Sequence, residues 1–294
     1  MRDMSLGELP DNPATVRGRL DLLFENQEGQ TILKVRRQEQ PLKVVRAFPL
    51  PGGGSLVHLH NLSGGVLGGD KLEVRVEVEP GTKAQLTSTG ATRLYRNLPG
   101  VEASGQLYVF SIGENGLLEY LPDQLIPFAG TRYRQQTRIE LAEGAGLFWW
   151  ETVAPGREAR GEVFDYDLLE LSVALTKGGR PLALEQSILE PKLRPLTSTA
   201  RLGQFRYFST FYMVKVGLEK TAWTRLETCL NDLAGQLSVP GETLWGASCL
   251  WSDGVVVRSV SRNGRAITRG LFEMWKLGKQ ELYGQTPTLP RKIY

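Results

Sequence analysis

The chain has 294 residues, 41% of them apolar, and a formal charge of +3, enough apolar content for a sizeable core in one large domain or two small ones. Its Lys and Arg are dispersed among Asp and Glu instead of forming a stripe, which speaks against nucleic acid as a partner. No apolar run approaches the roughly 20 residues that span a bilayer, and the start MRDMSLGELPDNP lacks a secretory apolar region, so no membrane and a cytoplasmic address are expected.

In chain order, residues 1–14 read as a flexible arm, because Pro10, Asp11, Asn12 and Pro13 suit neither ladder nor helix. Strands are predicted at 19–26, 31–38 and 56–62, with the PLPGGG stretch at 49–54 as a loop. The segment NLSGGVLGGD (61–70) then places Gly64, Gly65, Gly68 and Gly69 just before a strict apolar/polar alternation. Leu72, Val74, Val76 and Val78 fall on one face of that strand, and Lys71, Glu73, Arg75 and Glu77 on the other. Pro80-Gly81 is predicted to turn the chain back so that Thr82, Ala84, Leu86 and Ser88 return as an antiparallel partner. The glycine pairs read as a tight bend at a sheet corner, or as a backbone site for an anion. No helix follows them and no Gly-Lys-Ser/Thr is present, so phosphate-loop and dinucleotide readings lose their context.

Further strands are predicted at 106–112, 116–121, 131–141, 147–153, 164–175 and 181–190, punctuated by Gly and Pro at all-β intervals. A helix is predicted at 221–234 from Trp223, Leu226, Leu230 and Leu233, ending at Gly235. A hairpin turning at Asp253-Gly254 with type I′ chemistry follows. A second helix spans about 265–279 and buries Ile267, Leu271, Met274 and Trp275. The expected fold is mainly β, one large antiparallel or mixed β domain over 15–294, with two helices in the C-terminal third.

Candidate chemistry is sparse. His58 and His60 stand two apart on one strand, so both rings face one way, and with Asp70 they form a candidate open site for Ni²⁺ or Zn²⁺. They read equally as ordinary groove side chains. Thr87, Ser88, Thr89, Thr92, Arg93, Tyr95 and Arg96 form a hydroxyl-rich run that lines either a channel or a solvent face. Glu119, Glu151 and Glu162 are candidate functional carboxylates or strand-edge partners of arginines, with Arg157 and Arg160 near Glu158 and Glu162. Trp149 and Trp150 point to opposite faces of a strand, one toward core and one toward a partner. Cys229 and Cys249 lack CxxC spacing and read as core thiols. No GxSxG elbow is present, which leaves a serine hydrolase without its nucleophile.

Four segments in order, TSTGATRLYR (87–96), LEYLPDQLIPFAGTRY (118–133), WWETVAPGREARGEVF (149–164) and PRKIY (290–294), resemble the signatures of the urease accessory protein UreD (UreH) family. The resemblance spans about 15–294. Asn61-Leu62-Ser63 stands where the family more often reads Asn-Pro-Ser or Pro-Pro, and Thr89-Gly90-Ala91 where it tends to read Gln-Ala-Ala. The resemblance implies a scaffold without catalytic residues that joins UreF and the GTPase UreG and docks on apo-urease. It implies assistance to Ni²⁺ insertion, with nickel held only transiently, no tightly bound cofactor, and a homodimer formed through the accessory complex. It further implies an internal water-filled passage, on which Asp70, Glu119 and Glu151 are the expected stations. Trp275 on the second helix and Arg291, Lys292 and Tyr294 in the tail are the expected UreF contact. Two other classes stay open: a metal-dependent β-fold hydrolase built on His58, His60 and Asp70, and a β-sandwich ligand-binding module.

Overall fold

The computed structural model describes residues 15–287; the arm at 1–14 and the PRKIY tail, with Arg291, Lys292 and Tyr294, lie outside the described residues. The strands in chain order are β1 (Arg17–Gln27), β2 (Gln30–Gln38), β3 (Leu42–Lys43), β4 (Ala47–Leu50), β5 (Gly54–Asn61), β6 (Lys71–Val78), β7 (Lys83–Ser88), β8 (Thr92–Leu94) and β9 (Ser104–Ile112). They continue with β10 (Leu117–Tyr120), β11 (Leu125–Pro127), β12 (Arg132–Leu141), β13 (Gly146–Val153), β14 (Leu168–Lys177), β15 (Arg180–Leu189) and β16 (Tyr207–Lys215). Helix α1 (Lys220–Leu237), the hairpin β17 (Thr243–Cys249) and β18 (Gly254–Ser261), and helix α2 (Gly264–Tyr283) complete the chain.

Two sheets form. One has the order β15-β14-β12-β9-β6-β1-β2, and the other runs β17-β18-β16-β13-β10-β7-β5-β3. From β5 to β14 the main strands alternate between the sheets, and each pairs in parallel with the strand one coil away. Antiparallel strands β2, β15 and β16 to β18 finish the edges. The fold is therefore mainly β with mixed sheets and two C-terminal helices, as the strand and helix patterns predict.

The predicted hairpin at Pro80-Gly81 does not form. Strand β6 pairs with β1 and β9, whereas β7 pairs with β5 and β10 in the other sheet. Pro80-Gly81 is a corner that carries the chain between layers, and it stacks on the next corner through the Gly81 N–H to the Glu114 carbonyl, 2.9 Å. A period of two shows which face is buried, not which strand lies alongside. The inward set Leu72, Val74, Val76 and Val78 is buried as the alternation requires.

One core fills the space between the sheets, with Leu22, Phe24, Val76, Phe110, Tyr133, Leu147 and Trp149 among its members. A second core lies between the outer face of the β17-to-β3 sheet and the helices, around Phe148, Trp150, Phe211, Met213, Trp223, Leu230, Met274 and Trp275. The parallel middle of that sheet is thus covered on both faces. Helix α1 continues past Gly235 to Leu237, and Ser238 closes it by donating its N–H to the Ala234 carbonyl. An interior glycine costs a helix only about 1 kcal/mol against Ala, which half-buried Leu233 and Leu237 offset by packing on the second core. In the β17–β18 hairpin only Asp253 has a positive φ, and the Leu250 N–H reaches the Gly254 carbonyl at 2.8 Å. Its loop is four residues, 250–253, longer than the two-residue type I′ turn. Helix α2 is capped by the Asn263 side chain on the Arg265 N–H, 2.9 Å, and by left-handed Gly284.

Candidate functional site

The most polar feature of the interior comes from inward positions that alternation reserves for apolar residues. On β12 these are Tyr133, Gln135, Thr137, Ile139 and Leu141, all buried; on β9 they include Gln106 and Tyr108. The Tyr133 hydroxyl lies 2.9 Å from both Gln106 Oε1 and Gln135 Oε1, and Gln135 Nε2 donates to Glu151 Oε1 on β13. The Tyr108 and Tyr120 hydroxyls are hydrogen-bonded to one another beside this group. A file of polar side chains therefore runs through the inter-sheet core to Glu151.

Glu151 faces a cavity of ≈ 430 Å³ lined also by Trp149, Glu185, Ser209, Ser259, Arg258 and, toward its rim, Arg194 and Arg201. Glu185 accepts from the Tyr212 hydroxyl at 2.6 Å and from Arg258 Nη2 at 3.0 Å. Trp149, Ser209 and Ser259 line the same cavity, and Trp149 Nε1, Ser209 Oγ and Ser259 Oγ are buried with no protein hydrogen-bond partner among the described residues. Burial pushes the Glu151 carboxyl up to about 7; the Gln135 amide opposes that rise and the Glu185 charge adds to it. Burial also raises Tyr108 to about 12 and Tyr133 well above the usual phenol range. Glu151 is thus the group in the file that exchanges a proton near neutrality.

Glu119 lies on the opposite face of the same sheet. Its neighbours Leu117 and Leu121 pack into the helix-facing core, whereas Leu118 and Tyr120 enter the inter-sheet core. Glu119 Oε1 accepts from Lys279 Nζ at 2.7 Å and Trp275 Nε1 at 3.1 Å, and Oε2 accepts from Gln85 Nε2 at 3.0 Å. It anchors α2, and it does not share the space that Glu151 faces. Asp70 is also apart from that cavity. It is 2% exposed, accepts the Leu67 N–H at 2.9 Å and closes the glycine loop. Burial raises its pKa, against the backbone hydrogen bonds at Leu67 and Val16.

The glycine loop packs on β8 and the segment that follows it. At Gly65, φ is +155°, and a Cβ there would overlap the Arg93 carbonyl; at Gly68 it would come within 2.9 Å of the Arg96 carbonyl. Val66 and Tyr95 exchange backbone hydrogen bonds with this partner, Val66 N–H to Arg93 O at 2.8 Å and Tyr95 N–H to Val66 O at 2.9 Å. Gly64 and Gly69 have φ of +72° and +90°, conformations that turn the chain. The hydroxyl-rich run is split: Thr87 is buried and donates to the Leu121 carbonyl at 2.7 Å, Ser88 accepts the Asp123 N–H at 2.8 Å, and Arg93 and Arg96 are exposed. It is not one channel wall or one solvent face.

His58 and His60 remain on β5. The His58 ring meets Phe48 edge-on at 5.7 Å, and burial lowers the His60 pKa, helped by His58 and Lys43. Among the described residues no three His, Cys, Asp or Glu side chains gather to hold a metal. The His58, His60 and Asp70 centre that a hydrolase requires is therefore not assembled.

Two aromatic expectations are corrected. Trp150 is buried under α2, donates to the Pro122 carbonyl at 2.8 Å and packs on Phe272 and Trp275. Trp275 has no exposed surface, so neither indole reaches a partner directly. Amphipathic spacing identified Trp275 as core, and its proposed contact role conflicts with that burial. Arg157 pairs with Glu162, while Glu158 pairs with Arg206 at 2.6 Å and with the Tyr207 hydroxyl. Cys249 is half-buried beside Glu227, with its thiol pushed up to about 11 by burial and that carboxylate.

The model of the UreD urease accessory protein family matches residues 16–293. The chain belongs to the UreD family. It is similar to the urease accessory protein UreD of Herpetosiphon aurantiacus, 45% identical over 95% of this chain and 97% of that protein. The UreD proteins of Deinococcus radiodurans and Cupriavidus necator are each 31% identical, over 95% and 92% of this chain and the same shares of their own lengths. As a UreD urease accessory protein, the chain is a component of urease maturation. In this UreD-family chain Glu119 and Glu151 both lie in family-like segments, yet one faces the helices and the other the cavity. Residues not foreseen from sequence, Gln106, Tyr133, Gln135, Glu185, Arg258 and Lys279, complete the two environments. The signal for three of them was present: polar side chains at inward positions of alternating strands.

Proposed function

We propose that the chain is a cytoplasmic scaffold, without catalytic activity of its own, that joins UreF and the GTPase UreG on apo-urease and assists Ni²⁺ insertion. The observation that carries this reading beyond family membership is the polar file that ends at Glu151 and Glu185 on a solvent-sized cavity. A cation in transit must be held weakly, by exchangeable oxygen ligands, because a closed thiolate or poly-histidine site would trap a late first-row metal. Several shallow sites in series favour passage over one deep site. Glu151 fits such a station, and its proton competes with a cation below about pH 7. Glu119 fits the role less well, since its carboxylate is engaged by Lys279 and two further donors.

The surface supports an assembly role. Leu184, Ile188 and Leu193 are 70%, 55% and 74% exposed along and after the edge strand β15, and Trp251 at the hairpin tip is 98% exposed. Open edges and exposed apolar side chains favour association until a partner covers them. The isolated chain is expected to be poorly soluble and to be rescued by co-expression with UreF.

The test is to delete the gene from cells carrying a complete urease operon and to measure activity and nickel content of the purified urease. Nickel-poor urease, restored by the wild-type chain and not by E151A/E185A, is the expected result. Fully loaded urease without the chain would overturn the maturation role, and full rescue by E151A/E185A would overturn the passage through this cavity.

A further inference from the structure

Helix α2 begins against elementary electrostatics. Its first turn carries no acidic residue, and Arg262 just before it, Arg265 within it and Arg269 in the second turn all stand exposed. The positive end of a helix dipole disfavours cations, so Arg262 and Arg265 sit where a helix start would favour acids. None of the three arginines has a carboxylate within ion-pair distance among the described residues, whereas Arg206, close by, is paired with Glu158 at 2.6 Å. Further along the helix, Lys276 is paired with Glu273 at 2.9 Å.

Arg265 and Arg269 rim an open groove. It is ≈ 840 Å³, with Tyr207 and Phe272 as its aromatic lining and Arg265, Thr268, Arg269, Lys276 and the Lys276-paired Glu273 contributed by α2. The Phe272 ring is held edge-on to Trp150, centroids 5.6 Å apart, so the floor is fixed by the buried core beneath. An aromatic floor with a rim of arginines is the composition that protein interfaces favour.

We propose that this groove receives an acidic segment of a protein partner in the accessory assembly, presenting an apolar side chain to Phe272 and carboxylates to Arg265 and Arg269. The four-residue spacing of the two arginines matches carboxylates spaced one helical turn apart on a facing helix. Arginine suits this use because its planar fork binds a carboxylate through two parallel hydrogen bonds. A polyphosphate chain makes no use of the aromatic lining at Tyr207 and Phe272, whereas an acidic segment that carries an apolar side chain does. The inference rests on the accessory reading and goes beyond it by naming the face and the chemistry of the contact.

The test uses the full chain and R265E/R269E, each measured for binding to purified UreF, UreG and apo-urease at low and high salt. Because the substituted side chains are exposed and acids favour a helix N-terminus, the variant should melt no lower than the wild type. The expected result is a loss of affinity of about tenfold or more for one of the three proteins, with the wild-type contact weakened by salt. R265Q/R269Q should give an intermediate loss. Unchanged binding of all three by R265E/R269E would overturn the proposal while leaving chain-dependent urease activation intact. A wild-type chain that binds none of the three overturns both readings. Binding of a duplex oligonucleotide that the charge reversal abolishes, with protein contacts unchanged, would reassign the face to nucleic acid and overturn it as well.

Discussion

Removing the carboxylate of Glu119 should unseat helix α2. Glu119 and Lys279 are 2% and 8% exposed, and three donors converge on that one carboxylate. In E119A the Lys279 ammonium and the Trp275 indole N–H stay buried without their acceptor. Breaking a buried ion pair from one side costs about 3–5 kcal/mol, a large share of the roughly 5–15 kcal/mol that holds a typical domain. Replacing both partners by apolar groups removes the stranded charge, so E119L/K279M should lie within about 2 kcal/mol of wild type or above it. The assay is urea denaturation of the full chain followed by tryptophan fluorescence, to which Trp150 and Trp275 contribute through the same core. A cost below about 1 kcal/mol for E119A, or a double variant no more stable than the single, would refute the anchor assignment. The pair also separates anchor from nickel station. If E119L/K279M restores both stability and nickel loading of urease, the carboxylate acts through α2; restored stability with loading still lost would mean that the carboxylate itself meets the metal.

The Glu151 carboxyl is raised from 4.5 to about 7, so the folded state binds its proton more tightly than the unfolded one. Stability from this group is therefore complete below about pH 4.5 and lost as pH rises through 7, and E151Q should flatten that slope and be more stable at pH 8 by on the order of 3 kcal/mol; an unaltered pH profile would contradict the burial argument. A Cβ at Gly270 would overlap the Trp245 indole, and one at Gly278 the Met213 sulfur. G270A should lower stability by about 1–3 kcal/mol, and G278A by less because Met213 is flexible; thermal melts in the reverse order would refute this packing account. H58A/H60A should leave the nickel content of urease unchanged, since no third ligand joins the pair; a nickel-poor urease would restore the histidines as metal contacts.

Much of the architecture was legible because alternation and helical spacing report burial directly. Leu72, Val74, Val76 and Val78 fall inside as read, and Ile267, Leu271, Met274 and Trp275 form the buried stripe of α2. What alternation does not carry is the identity of the neighbouring strand, so a corner such as Pro80-Gly81 looks like a hairpin turn when the chain is in fact changing sheets. The candidate site was less legible for a related reason. Glu119 and Glu151 were singled out together, but their roles depend on Lys279, 160 residues from one, and on Gln135, 16 residues from the other. The polar inward set on β12 was the readable sign of an interior file, since Gln135 and Thr137 occupy positions where Val or Leu would otherwise sit.

The β17-to-β3 sheet is a partition as well as a scaffold. Its inner face meets the cavity at Glu151, and its outer face holds α2 through Glu119, so substitutions on the two faces should fail in different ways. Loss of Glu119 should weaken partner binding indirectly, because the helix that carries Arg265 and Arg269 is the helix it anchors, and E119L/K279M should recover that binding along with stability. R265E/R269E should lose partner binding with its fold and its Glu151 environment intact, and nothing done at residue 119 should recover it. The cavity variant E151A/E185A should bind partners as the wild type does and still deliver urease poor in nickel. If instead all three variants lost partner binding and nickel loading in proportion to their loss of stability, the two faces would have no separate tasks.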